Sequence, residues 1–205
     1  MLNCIHKKAD GICDLIAKKH FDPLHPENHN IRKLNKKDNF LEIGPGEGAL
    51  TERIYPFVNQ MAAIEIDPLL INFLKDHPTL QNLLLIQGDI LLQEIENIPI
   101  RTPVRIIGNI PYNITSPIIF WLIEQLNYWE DAFIMMQKEV AERLASKINT
   151  KAYGRLTVVT SAYLNFEYCF TIKPDVFIPK PKVESAIMRF TKKSEPLIQD
   201  EKYLK

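Results

Sequence analysis

Apolar positions fall in short runs cut by turn residues, and the period of the runs changes along the chain. Asn39-Phe40-Leu41-Glu42-Ile43 reads as a buried strand ending at Gly44-Pro45-Gly46-Glu47-Gly48, and Ala49 to Phe57 then reads as a helix. Met61 to Ile66 predicts a second strand, Pro68 to Lys75 a helix opened by proline in its first turn, and Leu83 to Ile86 a third strand. Val104 to Ile107 supplies a fourth strand, Ser116 to Leu126 a helix, and Ala132 to Met136 a fifth strand. Lys138 to Ile148 reads as a helix, Leu156 to Tyr163 and Tyr168 to Ile172 as strands, and Ser185 to Phe190 as a closing strand. Strands alternating with helices imply a mostly parallel sheet covered on both faces, because parallel neighbours need a crossover that is usually helical. The expected class is a doubly wound α/β fold.

Composition narrows the setting. A chain of 205 residues with 46% hydrophobic and 24% charged residues can bury one continuous core, which excludes wholesale disorder. The three cysteines, Cys4, Cys13 and Cys169, are too few and scattered for a disulfide framework or a four-ligand zinc site, so a reducing, cytoplasmic location is expected. His20, His25 and His29 lack carboxylate or cysteine companions at ligand spacing, and no metal is expected. Apolar stretches such as Ile118 to Ile123 fall short of the roughly 20 residues that a membrane helix requires, so no membrane role is expected.

The net charge of zero conceals an asymmetry. Through Lys37 eight basic residues face four acidic ones; from Asp38 to Gln137 four face thirteen; from Lys138 to Lys193 eleven face five. The chain is thus basic, then acidic, then basic, a pattern suited to a cationic cofactor held at the centre and a polyanion gripped at the edges, though solvated surface charge gives the same arithmetic.

In open α/β sheets ligands lie beyond the carboxyl ends of the strands, where the strand order reverses. Gly44, Gly46 and Gly48 follow the first strand, and Glu65 closes the second, 21 positions after Gly44, where a carboxylate can accept ribose hydroxyls. Asp89 follows the third strand, where its carboxylate or the neighbouring amide of Ile90 can meet an adenine edge. Asn109, in Gly108-Asn109-Ile110-Pro111-Tyr112, follows the fourth. Each feature alone is a common turn or cap; four in register after four strands are harder to dismiss. The glycines read G-x-G-x-G rather than the G-x-G-x-x-G of a dinucleotide site, and nothing cradles a pyrophosphate. S-adenosyl-L-methionine, a nucleoside carrying an amino acid and a sulfonium cation, fits this set.

Longer strings carry a more specific likeness. Leu41 to Thr51 (LEIGPGEGALT), Ile64 to Asp67, Gly88-Asp89, Gly108 to Pro117 (GNIPYNITSP), Met136 to Val140, Tyr153 to Leu156 and Phe177 to Ser185 (FIPKPKVES) together resemble the ribosomal RNA adenine N6-dimethyltransferases, the small-subunit type most closely. The likeness covers roughly residues 38–192. It implies a Rossmann-like class I methyltransferase fold and S-adenosylmethionine-dependent dimethylation of two adjacent adenosines in small-subunit rRNA. It also implies a monomer acting on the pre-ribosomal small subunit during ribosome biogenesis. By the same resemblance His6, Gly44, Gly46, Glu65, Ile66, Asp89, Ile90 and Asn109 contact the cofactor. Asn109, Pro111 and Tyr112 then form the catalytic motif, and Tyr112 and Phe177 stack on the target base.

The chain also departs from the family pattern. The usual opening, Arg-x-Gly-Gln-(Asn or His)-Phe-Leu-x-Asp, aligns with Ile5-His6-Lys7-Lys8-Ala9-Asp10, where only His6 and Asp10 match, and about eleven additional residues stand near His25 to Asn35. The expected organisation is a divergent helix and loop over residues 1–37, a methyltransferase domain over 38–192, and a charged tail over 193–205 where the family continues into a helical domain. A non-catalytic RNA-binding or ribosome-assembly factor on the same fold, or an adenine methyltransferase with another target, stays open as an alternative reading.

Overall fold

The computed structural model describes residues 34–146, 155–177 and 180–195. Seven strands form one sheet: β1 (Asn39–Ile43), β2 (Gln60–Glu65), β3 (Leu84–Gln87), β4 (Val104–Asn109), β5 (Trp129–Gln137), β6 (Leu164–Ile172) and β7 (Ser185–Lys192). Their order is β3-β2-β1-β4-β5-β7-β6. Strands β1 to β5 pair in parallel, and β7 runs antiparallel between β5 and β6. The helices are α1 (Thr51–Ile54), α2 (Pro68–Lys75), α3 (Thr115–Glu124), α4 (Lys138–Leu144) and α5 (Arg155–Tyr163). This is the expected doubly wound α/β sheet.

Side-chain alternation builds both layers. Leu41, Ile43, Ala62, Ile64, Ile106, Ile134 and Met188 face α3, α4 and α5 in one core. Their chain neighbours Phe40, Met61, Ala63, Ile107, Phe133 and Ile187 face α1 and α2 in the other. The indole nitrogens of Trp121 and Trp129 donate to the Gln93 and Leu122 carbonyls at 2.7 and 2.8 Å, so their buried rings leave no unmet donor. Asp67 caps α2 by accepting from the Leu69 N–H at 2.8 Å, with Pro68 in the first turn as the sequence suggests.

One predicted strand is a helix. The run Leu156 to Tyr163, rich in Thr and Val, reads as a strand by propensity, yet Arg155–Tyr163 is α5. The cause is topological: β6 points the same way as β5, so the chain must cross the sheet between them. The hydroxyls assist, with Thr160 donating to the Leu156 carbonyl at 2.7 Å and Thr157 to the carbonyl of Arg143 at the end of α4 at 3.0 Å. The first helix is also shorter than expected, tightening into a 3-10 turn over Tyr55–Phe57 around Pro56. Of the helix and loop expected over 1–37, residues 1–33, with His6, lie outside the described residues, as do residues 196–205 of the tail expected over 193–205 and the end of the helix expected to reach Ile148.

A buried guanidinium was not anticipated. Arg105, 1% exposed, lies between the Phe40 and Phe133 rings and donates to Asp131 at 2.7 and 2.9 Å and to Asp38 at 3.4 Å. Its place at the start of β4 is the sheet end opposite the candidate site. Among the described residues no helix is long and apolar enough to cross a membrane, and no cluster of His, Cys, Asp and Glu could hold a metal ion.

Candidate functional site

The parallel register brings four strand ends to one edge. Ile43 pairs with Ile64 and with Gly108, and Glu65 with Gln87, so the loops that follow β1, β2, β3 and β4 leave the sheet side by side. Strand order reverses at β1, which has β2 on one side and β4 on the other, the place where doubly wound sheets open a crevice.

Three glycines shape the loop after β1, with φ of +67° at Gly44, +60° at Gly46 and +86° at Gly48. No heavy atom stands within 4 Å of the place a Cβ would take on Gly46, so this bare, left-handed backbone faces open space. Across the crevice, the same position on Gly44 lies 3.8 Å from the carbonyl oxygen of Asn109. The glycine turn and the segment after β4 are therefore neighbours, 65 residues apart in the chain.

Glu65 is 7% exposed and ties the loops together. Its Oε1 accepts from the N–H groups of Ile66 and Asp67 at 2.9 and 3.0 Å, and its Oε2 from the N–H of Gly46 at 3.2 Å. A carboxylate offers about four acceptor sites, so roughly one remains, on Oε2 beside the glycine turn. The sequence suggests acceptance of both ribose hydroxyls; the geometry provides for one without loosening the Gly46 contact. Next to it the Ile66 side chain is 66% exposed and forms an apolar rim. Asp89 caps the 3-10 turn Ile90–Leu92, accepting from the Leu91 N–H at 3.0 Å, and Ile90 is 5% exposed in the core.

A second acid was missed. Glu42, on β1 two residues before the glycine turn, is 2% exposed and accepts from Thr51 Oγ1 at 2.6 Å. Burial pushes its carboxyl from 4.5 up to about 7; the Thr51 hydrogen bond opposes the rise and the nearby charge of Glu65 adds to it. The signal was visible as a lone acid inside the apolar string NFLEI.

After β4 the chain changes character within four residues. Asn109 is exposed, Ile110 is buried, Pro111 is exposed, and Tyr112 is half-buried at the start of a 3-10 turn that runs into α3. The Tyr112 carbonyl accepts from Thr115 Oγ1 at 3.0 Å, and its hydroxyl lies 2.7 Å from Ser185 Oγ. Phe177, half-buried, packs partly against the core that holds Ile172 and Ile187. The structure thus gathers Gly44, Gly46, Glu65 and Asn109 at one edge.

The family profile described as ribosomal RNA adenine dimethylase matches residues 24–205. The chain belongs to the ribosomal RNA adenine dimethylase family. Within that family it is 43% identical over 167 residues to a ribosomal RNA small subunit methyltransferase A of Legionella pneumophila, covering 80% of this chain and 64% of that protein. The fold also aligns with a dimethyladenosine transferase from Plasmodium falciparum, with a TM-score of 0.73 and 30% identity over 89% of this chain and 62% of that one. It aligns with the 23S rRNA methyltransferase ErmE at a TM-score of 0.69 and 31% identity, over 98% of this chain and 76% of that one. The chain spans under two thirds of the length of the Legionella relative.

The residues at this edge could hold S-adenosylmethionine. The uncrowded backbone at Gly46 leaves room for a ligand beside the chain, the remaining acceptor site of Glu65 suits a ribose hydroxyl, and the Ile66 rim suits an adenine face. The carboxylates Glu65 and Asp89 at the strand ends favour a cation over a pyrophosphate.

Proposed function

We propose that the protein transfers methyl groups from S-adenosylmethionine to the N6 amine of adenosine in ribosomal RNA, twice on each of two adjacent adenosines of the small subunit. The observation that carries this reading is the closeness of the glycine turn to the Asn109 segment, 3.8 Å from the Gly44 Cβ position to the Asn109 carbonyl. Cofactor and base would then meet across a single crevice. Two relatives are named for rRNA methylation, the small subunit methyltransferase A and ErmE, and they support the choice of substrate.

When bound, the cofactor would supply an electrophilic methyl carbon on a sulfonium and leave as the neutral thioether S-adenosylhomocysteine, the methylated amine losing one proton to solvent at each transfer. What the chain itself does is hold the acceptor. An adenine amine is a poor nucleophile because its lone pair is delocalised into the ring. The Asn109 side-chain oxygen and a main-chain carbonyl at Ile110 or Pro111 accept hydrogen bonds from its two N–H groups in the first transfer, and one of them from the single remaining N–H in the second, favouring a pyramidal nitrogen with a localised lone pair. The Pro111 carbonyl already accepts from the Ile114 N–H at 3.2 Å and keeps a second lone pair for this purpose. Tyr112 stacks on the extruded base and Phe177 closes its other face, stacking being worth about 1–3 kcal/mol per base. Gly44, Gly46, Glu65, Ile66, Asp89 and Ile90 hold the cofactor, and fixed geometry between the reacting atoms supplies much of the rate.

Small ribosomal subunits that lack the modification, incubated with labelled S-adenosylmethionine, test this. Label in N6,N6-dimethyladenosine at adjacent positions is expected, with Asn109→Ala and Tyr112→Ala reducing the rate by about 10²-fold or more. Cofactor binding without label would defeat it, and label mapping to large-subunit rRNA would transfer the substrate to the ErmE-like class.

A further inference from the structure

The hydroxyl of Tyr112 and the Oγ of Ser185 lie 2.7 Å apart although the residues are 73 positions apart in the chain. Ser185 is the first residue of β7 and is wholly buried. Its main chain sits between two strands, opposite Gln137 of β5 and Ile172 of β6. The residue before it is fastened as well: the Lys138 N–H donates to the Glu184 carbonyl at 3.0 Å, and Lys138 Nζ reaches Glu184 Oε2 at 2.6 Å. The serine hydroxyl is therefore mounted on a strand end that is paired on both sides.

A tyrosine ring turns about only two torsions. In Tyr112 the near end is fixed by the 3-10 turn, where its carbonyl accepts from Thr115, and the far end by the hydroxyl contact with Ser185. A ring held at both ends shows its open face in one direction. Packing alone would not require this, since a buried serine can satisfy itself on nearby main chain; here the partner is the polar tip of a half-buried aromatic in another loop.

We infer that Ser185 is a positioning residue that sets the angle at which the Tyr112 ring meets the target adenine. The inference rests on the methyl-transfer reading above. It makes the Tyr112 hydroxyl matter alongside its ring, and it couples the base-stacking loop to the antiparallel end of the sheet. A stacked base displaced by a fraction of an ångström carries its amine off the line of transfer, which costs rate without costing cofactor affinity.

The test compares wild type, Ser185→Ala, Tyr112→Phe, the double variant and Ser185→Thr. Methyl transfer to unmodified small subunits gives the rate, calorimetry gives the S-adenosylmethionine affinity, and an rRNA fragment with 2-aminopurine at one target position reports stacking. Each single variant is expected to lower the transfer rate about tenfold with unchanged cofactor affinity and altered 2-aminopurine emission. The double variant should be no worse than either, because both remove one contact. Ser185→Thr, which keeps a hydroxyl, should stay within about threefold of wild type. Wild-type rate and emission in Ser185→Ala, or losses that multiply in the double variant, overturn the inference while leaving methyl transfer standing. A wild-type protein that binds the cofactor and transfers nothing overturns the reading and the inference together. Should Ser185→Ala fail to fold, Tyr112→Phe decides the matter by the same two readouts.

Discussion

Glu42 shows how one side chain can set a pH dependence for the whole fold. Its carboxyl stands at about 7 in the folded chain against 4.5 when exposed, so between those values the folded state holds a proton that the unfolded state has released. The contribution of Glu42 to stability is therefore fully present below about pH 4.5 and is lost as pH rises through about 7, up to roughly 3 kcal/mol at 1.36 kcal/mol per unit. Glu42→Gln keeps an acceptor for Thr51 and removes the charge. Its unfolding free energy, followed by urea titration at pH 5 and pH 8, is expected to lose most of this slope and to exceed wild type at pH 8; an unchanged slope would assign the dependence to other groups. Of the residues gathered at this edge, Gly44, Gly46, Glu65 and Asn109 were legible because each ends or follows a strand whose limits are written in its apolar run. Glu42 was not singled out, although its acid stands in plain view inside such a run. The Tyr112–Ser185 contact was beyond reach: nothing in 73 residues of sequence spacing says which hydroxyl meets which.

Among the elements, the five parallel strands and α2 follow directly from apolar runs bounded by glycine, proline and capping acids. The reading failed at α5, where Thr157, Val158, Val159 and Thr160 have strand propensity but the direction of β6 demands a crossover. Tertiary packing overrode a weak local preference, as it commonly does. Val158 checks this assignment, because it is half exposed on α5. Val158→Ala is expected to raise stability by roughly half a kcal/mol, since alanine is the better helix former, whereas in a strand the same change would lower it. Thermal and urea unfolding read the sign. The buried Arg105, held by Asp131 and Asp38 at the far end of the sheet, was hidden for a related reason: a charge inside an apolar strand is read as exposed until its partners, 26 and 67 residues away, are known.

At the scale of the molecule, the acidic middle of the chain folds into the parallel half of the sheet and carries the pocket, while β6, β7 and the segment bearing Lys173, Lys180 and Lys182 supply the more basic flank. This arrangement suits a cationic cofactor and a polyanionic substrate approaching from different sides. The claim on which everything else depends is that the loops after β1, β2 and β3 form a site for S-adenosylmethionine, with Glu65 as the residue that both braces the glycine turn and receives the ribose. Calorimetric titration of the wild-type protein, Glu65→Ala and Asn109→Ala with S-adenosylmethionine measures this directly. A dissociation constant on the order of micromolar is expected for wild type, weakened at least about tenfold in Glu65→Ala and nearly unchanged in Asn109→Ala. Wild-type protein that is folded and binds no cofactor, or equal binding in Glu65→Ala, would contradict the claim.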